Sequence, residues 1–301
     1  VYGENAAAAL ESAEKELHTL DEAVLSRTAE GSELYALNAS NGETVECGAD
    51  DILPALIETA LTISDATDGA FDPTLAPVLD AWGFTKDERR VPSADELKEL
   101  LGHTGCGKVA LEKTADGWTV TLLDGAQLDL GGIAKGYAAG RVRTILREAG
   151  VTSAIISLGG NVAAVGKKPD GSAWTVGLQD PDRPEAYFGT VSIEDACVVT
   201  SGAYQRYFEE NGVCYHHILD PHTGCPAESG VKSVSVVAQD DTLADALSTA
   251  LFVMGLDAGA ELWNSSGLSF EAVFVTDDNT VWITPGLAGR YRSDRPYQIL
   301  E

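Results

Sequence analysis

The segment DDTLADALSTAL, residues 240–251, combines the apolar spacing of a helix with a carboxylate and a hydroxyl. Its apolar positions predict a substantially buried helix: Leu243, Ala246, Leu247, Ala250, Leu251 and Val253. Asp245 and Thr249 are four residues apart and therefore share one face of that helix. A buried carboxylate needs a partner, which can be a backbone N–H, a Lys or Arg, or a hard cation such as Mg²⁺ or Ca²⁺. The segment alone leaves a local cap, a salt bridge and a metal site open.

The composition indicates a globular protein with a strongly acidic surface. The chain has 301 residues, of which 44% are hydrophobic, so it can bury the core of one large domain or of two. Its 20 basic and 47 acidic residues give a net charge of -27, which opposes binding of nucleic acid or of anionic membranes by the bulk surface. A phosphate-bearing ligand must therefore be held locally, by a bound cation or by helix N-termini.

The cysteine pattern argues against a disulfide-stabilised protein, and the hydropathy argues against a membrane-spanning one. The five cysteines contain no C-x-x-C pair, and their odd number excludes a complete intramolecular disulfide framework. We expect them to be mainly buried thiols. No run of 18 apolar residues occurs, so the sequence predicts no membrane span.

Helical and alternating segments both occur along the chain, which predicts an α+β fold. Two amphipathic helices are expected, one from Asn5 to Val24 and one from Asp51 to Ala66. Ser93 and Glu96 form a capping box that opens a third helix. Further elements are predicted as follows: a hairpin at 109–122 turning at Asp116-Gly117, strands near 154–161, 162–165, 174–178, 188–193, 197–202 and 233–238, a helix from Asp257, a hairpin turning at 278–279, and an irregular tail from Arg290.

Three strands are expected to end in small residues. Residues 127–137 predict a strand, two glycines and a helix N-terminus, which together form an anion cradle with Lys135 placed to add charge. The strings of a P-loop or a Rossmann fingerprint are absent, and a glycine hinge with a surface lysine is the alternative. Gly159-Gly160 and Ser201-Gly202 end two other strands, which suggests a shared cleft.

Two further segments carry candidate ligand or catalytic groups. Residues 69–74 (GAFDPT) are either an ordinary turn or, with Trp82, a wall for a planar ligand. His216, His217 and His222 lie within seven residues of each other, but adjacent histidines on a strand point to opposite faces, which argues against zinc. One histidine acting as a general base fits better, and a structural histidine remains the alternative.

Taken together and in order, these segments resemble the ApbE family of flavin transferases (FAD:protein FMN transferases). The motifs that carry the resemblance are residues 32–38 (SELYALN), 69–74 (GAFDPT), 128–136 (LDLGGIAKG), 158–161 (LGGN), 200–202 (TSG), 217–224 (HILDPHTG) and 244–249 (ADALST). They span nearly the whole chain, to about residue 285, and their order makes the resemblance specific. One departure is Asn161, where the family pattern leads us to expect an acid.

The resemblance implies an α+β fold, ApbE-like or T-fold-like, with mixed and largely antiparallel sheets, packed helices and one FAD cleft. The implied reaction is Mg²⁺-dependent transfer of FMN from FAD to a Thr or Ser hydroxyl of an acceptor flavoprotein, with release of AMP. A Mg²⁺-dependent FAD pyrophosphatase and a non-catalytic FAD-binding protein are the alternatives.

The resemblance also implies roles for particular residues. Asp245, the Thr249 hydroxyl and the Gly132 carbonyl would bind the metal ion, and His217 and Asp245 would be catalytic. Contacts with FAD are implied for the following positions: Ala70, Phe71, Asp72, Asp129, Lys135, Ile218 and Ser248.

Kinship further implies a single domain over residues 1–301, as one body or as two closely packed lobes, in which residues 85–125 are peripheral. Many relatives are exported lipoproteins, so we expect an extracytoplasmic, membrane-anchored protein whose signal segment precedes residue 1. A cytoplasmic location is the alternative.

Overall fold

The computed structural model describes residues 1–3, 5–84, 86 and 88–301, which divide into two compact units. The first unit comprises Val1–Leu17, Ile133–Gln205 and Glu228–Glu301, and the second comprises His18–Gly132 and Arg206–Ala227. The helices are α1 (Ala6–Thr19), α2 (Glu33–Asn38), α3 (Ile52–Ala66), α4 (Ala76–Trp82), α5 (Ala94–Leu101), α6 (Ala134–Glu148) and α7 (Asp241–Ser265). Short turns of other helical types occur at Leu20–Leu25, Cys106–Lys108 and Pro285–Leu287.

The first unit is built on a seven-stranded sheet. Its strands are β4 (Ser153–Leu158), β5 (Asn161–Gly166), β8 (Cys197–Gly202), β11 (Val231–Ala238), β12 (Phe270–Thr276), β13 (Val281–Ile283) and β15 (Tyr297–Ile299). The order is β15-β13-β12-β11-β8-β5-β4, and the named pairs are antiparallel except β13 with β15. The pairs Leu158↔Asn161 and Val162↔Val198 place the Gly159-Gly160 turn and the Ser201-Gly202 strand end at the same end of this sheet.

A second sheet of the same unit consists of β6 (Trp174–Asp180), β7 (Arg183–Ile193) and β14 (Tyr291–Arg292) in the order β14-β7-β6. Alternate residues of β6 and β7, among them Val176, Leu178 and Val191, pack with residues of the large sheet such as Val273 and Val275 in one hydrophobic core. The alternation follows from the two-residue period of a strand, which puts successive side chains on opposite faces.

Helix α7 is the central helix of the first unit and packs against β8, β11 and α6. Asp240 caps it, because its carboxylate accepts hydrogen bonds from the N–H groups of Thr242 and Leu243. The helix is interrupted at Gly255, which has φ 77° and ψ -172°, a conformation that favours glycine. The interruption agrees with the prediction of two helices, the second from Asp257. By length and composition α7 alone among the helices of the described residues could cross a membrane, but 56% of its apolar window is buried inside this unit.

The second unit contains α2–α5 and two small antiparallel sheets. Strands β1 (Val45–Gly48), β2 (Val109–Lys113) and β3 (Gly117–Leu122) form one sheet in the order β1-β3-β2, and β9 (Tyr207–Glu210) pairs with β10 (Val213–His216) in the other. An aromatic and aliphatic cluster that includes Trp82, Phe84, Leu97 and Leu219 forms a core. In the segment expected to be peripheral, Trp118, Val120 and Leu122 are buried; Thr85 and Asp87 of that segment lie outside the described residues.

The structure confirms the α+β fold, the predicted hairpins and the capping box, in which the Ser93 hydroxyl accepts from the Glu96 N–H. The strand predicted at 127–130 is wrong. The structure there has only the isolated bridge between Leu75 and Gln127. Asn38 explains the difference, because its side-chain amide makes both hydrogen bonds to the Leu128 backbone, at 2.9 and 2.7 Å, that a neighbouring strand would otherwise make.

Two further expectations are corrected. The tail from Arg290 is not irregular, since it contributes β14 and β15, and Arg295 binds the fully buried Asp180. The cysteines form no disulfide bonds, but only Cys197 is buried, and Cys214 is exposed. A small buried thiol needs no partner, whereas Cys214 lies on a two-stranded hairpin that has too few layers to cover it.

Candidate active site

The Asp245 carboxylate is buried where α7 meets the N-terminus of α6. The residue is 3% exposed, and its Oδ2 atom accepts a hydrogen bond of 2.7 Å from the Gly136 backbone N–H. Burial raises the pKa of Asp245, and the Lys135 charge and nearby hydrogen-bond donors oppose that rise. The first turn of α6 thus supplies an N–H donor and the positive end of a helix dipole to a carboxylate that water does not solvate.

Gly136 allows this contact because α6 and α7 approach each other too closely for a side chain. A Cβ atom at position 136 would lie 2.2 Å from the Asp241 carbonyl oxygen and 2.6 Å from the Asp245 Cβ. Non-bonded carbon atoms require about 3.5–4.0 Å. The glycine predicted as part of an anion cradle therefore sets the distance between the two helices.

Lys135 and Asn161 are the polar neighbours of Asp245. Lys135 lies in the first turn of α6, and a Cβ atom at Gly159 would be in ordinary contact with its Cδ, at 3.6 Å. The lysine stem therefore passes beside the Gly159-Gly160 turn at an ordinary van der Waals distance. The Asn161 side chain lowers the pKa of Asp245, although its buried Nδ2 atom has no hydrogen bond of ordinary geometry in the described part of the chain. The acid expected at position 161 would add a second negative charge beside Asp245, whereas Asn161 adds none.

Thr249 lies one helical turn beyond Asp245 and is partly exposed. Ser248, predicted to contact FAD, is only 1% exposed, and its hydroxyl donates to the Asp245 carbonyl at 2.8 Å. Its oxygen also lies 2.8 Å from that of Ser201 on β8. The Ser248 hydroxyl is thus engaged in hydrogen bonds within α7 and between α7 and the sheet, and its contact with FAD stays a prediction.

An ion pair that no sequence pattern predicts also joins α6 to α7. Arg143 on α6 and Asp241 on α7 are 3% and 5% exposed, and the guanidinium donates to the carboxylate at 2.7 Å. Arg143 also donates to the carbonyls of Gln239 and Asp195. Burial raises the pKa of Asp241 to about 6 despite the opposing charge of Arg143. Sequence spacing could not pair residues 98 positions apart.

In the second unit, residues 69–74 form a tight turn after α3. The Asp72 carboxylate accepts hydrogen bonds from the Thr74 N–H and hydroxyl, at 2.7 and 2.6 Å. Ala70 and the Phe71 ring, predicted to line the ligand site, are 8% and 4% exposed, so the ring is not an open wall. Asp72 instead lines a cavity of about 420 Å³ together with Ser64, Asp68, Gly69, Thr104, Cys106 and His222.

Asp129, predicted to touch FAD, is occupied by structural contacts. One carboxylate oxygen accepts from the Gly131 N–H at 2.7 Å, and the other binds the Arg27 guanidinium at 2.6 Å. Arg27 also binds Asp80 at 2.8 Å. Asp129 therefore fixes the turn that leads to Gly132. Gly132 is the last residue of this stretch of the second unit, and its carbonyl as a metal ligand stays a prediction.

His217 follows directly after β10, and its ring is oriented by the backbone. The Nδ1 atom lies 3.2 Å from the carbonyl oxygen of Arg206, and the His217 N–H donates to the same oxygen at 3.1 Å. A carbonyl only accepts, so in the neutral ring Nδ1 carries the proton and Nε2 keeps its lone pair. His216 bonds a different carbonyl, that of Ala227. The two histidines thus lie against different backbone carbonyls, and the role of His217 as general base stays a prediction.

Aromatic packing holds the His217 hairpin in place. Trp82 is 1% exposed and donates its indole N–H to the Gly224 carbonyl at 2.7 Å. Its ring lies 5.3 Å from that of Tyr215, and Phe208 stacks on Tyr215 at 5.4 Å. The prediction that Trp82 forms an open wall for a ligand is therefore wrong. Trp82 is part of the core beneath β9 and β10. Ile218 is also buried, and its carbonyl accepts from Ala227.

The donor set around Asp245 determines which metal ion would fit. Within residues 1–3, 5–84, 86 and 88–301, no group of three or more His, Cys, Asp or Glu side chains is placed to hold a metal ion. Asp245 and Thr249 offer one carboxylate and one hydroxyl, which are hard oxygen donors on one helix face. Mg²⁺ is commonly bound by one or two carboxylates, with water and substrate phosphates completing its shell. The residues fit Mg²⁺ bound in that way and do not fit zinc.

Comparisons with known proteins place this architecture in one family. The family model described as the ApbE family matches residues 1–274. A protein of Treponema pallidum named FAD:protein FMN transferase is 39% identical, over 97% of this chain and 84% of its own length. A protein of the same name from Klebsiella pneumoniae is 36% identical, over 82% of this chain and 76% of its own.

Solved structures agree with the sequence relatives. The ApbE protein of Thermotoga maritima has a TM-score of 0.84 and 36% identity, and the match covers 92% of this chain and 89% of that one. The flavinyl transferase ApbE of Pseudomonas stutzeri has a TM-score of 0.77 and 34% identity, covering 89% and 82%. The chain belongs to the ApbE family, which confirms the resemblance and the predicted fold class.

Proposed function

We propose that this chain is an FAD:protein FMN transferase that uses Mg²⁺ to transfer FMN from FAD to a Ser or Thr hydroxyl of an acceptor flavoprotein. The observation that carries the proposal is the buried Asp245 carboxylate, held by the Gly136 N–H, with Thr249 one turn further along the same helix. A buried carboxyl group whose pKa is raised by burial is typical of a functional site. The names of the related proteins support the same activity.

The reaction breaks one bond of the FAD pyrophosphate and forms another at the same phosphorus atom. The acceptor hydroxyl oxygen attacks the phosphorus of the FMN half, and the bond from that phosphorus to the bridging oxygen breaks. The bridging oxygen and its electron pair leave with AMP. The hydroxyl proton goes to a base, and no oxidant or reductant is required. Such a transfer depends on positioning of the attacking oxygen and on neutralisation of negative charge.

The residues of each unit supply separate parts of this chemistry. Asp245 and Thr249 would hold Mg²⁺, which when bound would neutralise charge on the pyrophosphate oxygens. Lys135 adds a positive charge in the first turn of α6. In the second unit, the role of base is assigned to His217 from the resemblance of its motif to the family. Asp72 is one of several polar residues that line the cavity beside the predicted flavin motif.

The test is to incubate the protein with FAD, Mg²⁺ and an acceptor domain that carries a Ser/Thr-Gly-Ala-Ser/Thr segment, and to weigh the acceptor. We expect its mass to rise by that of FMN less one water, with one AMP released per acceptor. Free FMN beside an acceptor of unchanged mass would contradict transfer and indicate a pyrophosphatase. FAD bound but unchanged would indicate a binding protein. An acceptor with its Ser/Thr positions replaced by Ala is the control.

A further inference from the structure

Three hydroxyl groups form a continuous chain between β8 and α7. The Ser201 oxygen lies 2.8 Å from the Ser248 oxygen and 3.4 Å from the Thr249 oxygen. The Ser248 oxygen lies 2.8 Å from the Asp245 carbonyl oxygen. Ser248 is buried, whereas Ser201 and Thr249 are partly exposed. The chain of contacts therefore ends on the backbone at one side and reaches the predicted metal ligand at the other.

The direction of each hydrogen bond follows from counting protons, since each hydroxyl has one. The Asp245 carbonyl only accepts, so Ser248 uses its proton there. At the contact between Ser201 and Ser248 the proton must then come from Ser201. Ser201 has no second proton, so Thr249 donates at the contact between them. If Ser201 instead donated to Thr249, the Ser201 and Ser248 oxygens would lie 2.8 Å apart with no proton between them and would repel each other. That order is therefore excluded.

We propose that Ser201 is a positioning residue that orients the Thr249 hydroxyl for Mg²⁺, an inference that rests on the proposed function. By accepting the Thr249 proton, Ser201 turns it toward the sheet. The lone pairs of the Thr249 oxygen then face away from Ser201 and can bind a cation. Cations bind oxygen lone pairs, and a hydroxyl proton directed at the ion would oppose binding. Partners of this kind that orient metal ligands typically change metal affinity by about 10–100-fold when removed.

The strand register provides a matched control at the neighbouring residue. Successive residues of β8 point to opposite faces of the sheet, so Thr200 does not share the Ser201 face. The Thr200 hydroxyl lies 2.8 Å from that of Ser235, its cross-strand partner. Thr200 therefore has the same kind of buried hydroxyl partner on the same strand, but no connection to Thr249.

The experiment titrates the protein with Mg²⁺ by calorimetry in the absence of FAD. We expect Ser201→Ala to weaken Mg²⁺ binding by about 10–100-fold. Ser201→Thr, which keeps the hydroxyl, should restore binding, and Thr200→Val should bind as the unaltered protein does. Ser248→Ala should also weaken binding, because it frees the Ser201 proton to point at Thr249.

Two readouts separate this role from a structural one and from failure of the proposed function. The melting temperature without metal should change equally little in Ser201→Ala and Thr200→Val, whereas only the former loses Mg²⁺ affinity. Unchanged Mg²⁺ affinity in Ser201→Ala, with flavin transfer by the unaltered protein intact, would overturn the positioning role alone. Absence of Mg²⁺ binding and of transfer in the unaltered protein would overturn both proposals.

Discussion

We expect the buried Asp245 carboxylate to lower the stability of the fold while it serves the binding of Mg²⁺. Because burial raises the pKa of its carboxyl, the ionised form costs free energy in the fold. Asp245→Asn keeps the shape and an oxygen that can accept from Gly136. We expect it to weaken Mg²⁺ binding at least tenfold and to lower transfer at a fixed Mg²⁺ concentration, while the melting temperature without metal rises.

Calorimetry and acceptor mass measure these two effects in Asp245→Asn. Asp257→Asn is the control, since Asp257 is an exposed residue of the same helix. Transfer that persists undiminished in EDTA would show that Asp245 does not act through a metal ion.

Asp241 gives a pH dependence whose sign is fixed by its raised pKa. Its ordinary value is 3.8, and burial raises the pKa to about 6 in the folded protein. Between these values the folded state binds more protons than the unfolded state, so the free energy of unfolding falls as pH rises through this window. Urea unfolding at several pH values should show this fall. Asp241→Asn, although less stable because Arg143 loses its partner, should lack that component of the slope.

His217 should affect turnover more than binding. We expect His217→Ala to lower the transfer rate by about 10²–10⁴-fold, the usual effect of removing a general base, with FAD affinity nearly unchanged. His18→Ala on α1 is the control, since His18 is exposed and lies beside the exposed Glu22. A normal transfer rate in His217→Ala would remove this residue from the mechanism.

Individual residues were predictable where local spacing decides their position. Asp245 and Thr249 share a helix face because four residues make about one turn. The surroundings of Ser248, Asp129 and Phe71 could not be predicted in this way, since their hydrogen bonds and burial come from partners distant in sequence, such as Ser201 and Arg27. The same is true of the pairing of Arg143 with Asp241.

At the level of helices, the contact between α6 and α7 depends on Gly136. A Cβ atom there would lie 2.2 Å from the Asp241 carbonyl oxygen, so Gly136→Ala must push the helices apart. We expect a loss of about 1–3 kcal/mol in the free energy of unfolding, as for other overpacked sites, together with weaker Mg²⁺ binding because Asp245 loses its N–H donor.

Gly140→Ala is the matched control on the same helix. A Cβ atom at position 140 would meet the Asp241 Oδ2 at 3.5 Å, an ordinary contact. Alanine in a helix is favoured over glycine by about 0.5–1 kcal/mol, so this variant should be as stable as the unaltered protein or more so. Thermal unfolding of the two variants side by side is the measurement. Equal stability of both would mean that the helices adjust without cost.

Elements with a strong local pattern were predictable, and those defined by side-chain contacts were not. The hairpin at 109–122 and the helix at Ile52–Ala66 follow from alternation and apolar spacing. Residues 127–130 have the composition of a strand, but the Asn38 side chain takes the backbone hydrogen bonds of Leu128. Strands β14 and β15 escaped prediction because each is very short and exists only through its neighbour, β7 or β13.

For the molecule as a whole, the order of motifs along the chain was enough to predict the fold class, because the α+β pattern recurs over most of its length. The division into two units was not predictable in the same way. The second unit is assembled from His18–Gly132 and Arg206–Ala227, segments separated by more than seventy residues that contain no boundary signal in composition. Contacts such as that of Trp82 with Gly224 join them.

The net charge of -27 predicts how binding of FAD depends on salt. FAD is itself an anion, so the field of the whole protein opposes its approach, whereas Lys135 acts at short range. Raising the ionic strength from about 0.01 to about 0.15 M shortens the Debye length from about 30 to about 8 Å, which screens the distant acidic residues more than a contact within the site. We therefore expect the KM for FAD, measured at saturating Mg²⁺, to fall severalfold across this range. Sucrose at matched osmolality should leave the KM unchanged, and a KM that rises with salt would show that local attraction outweighs the repulsion of the whole molecule.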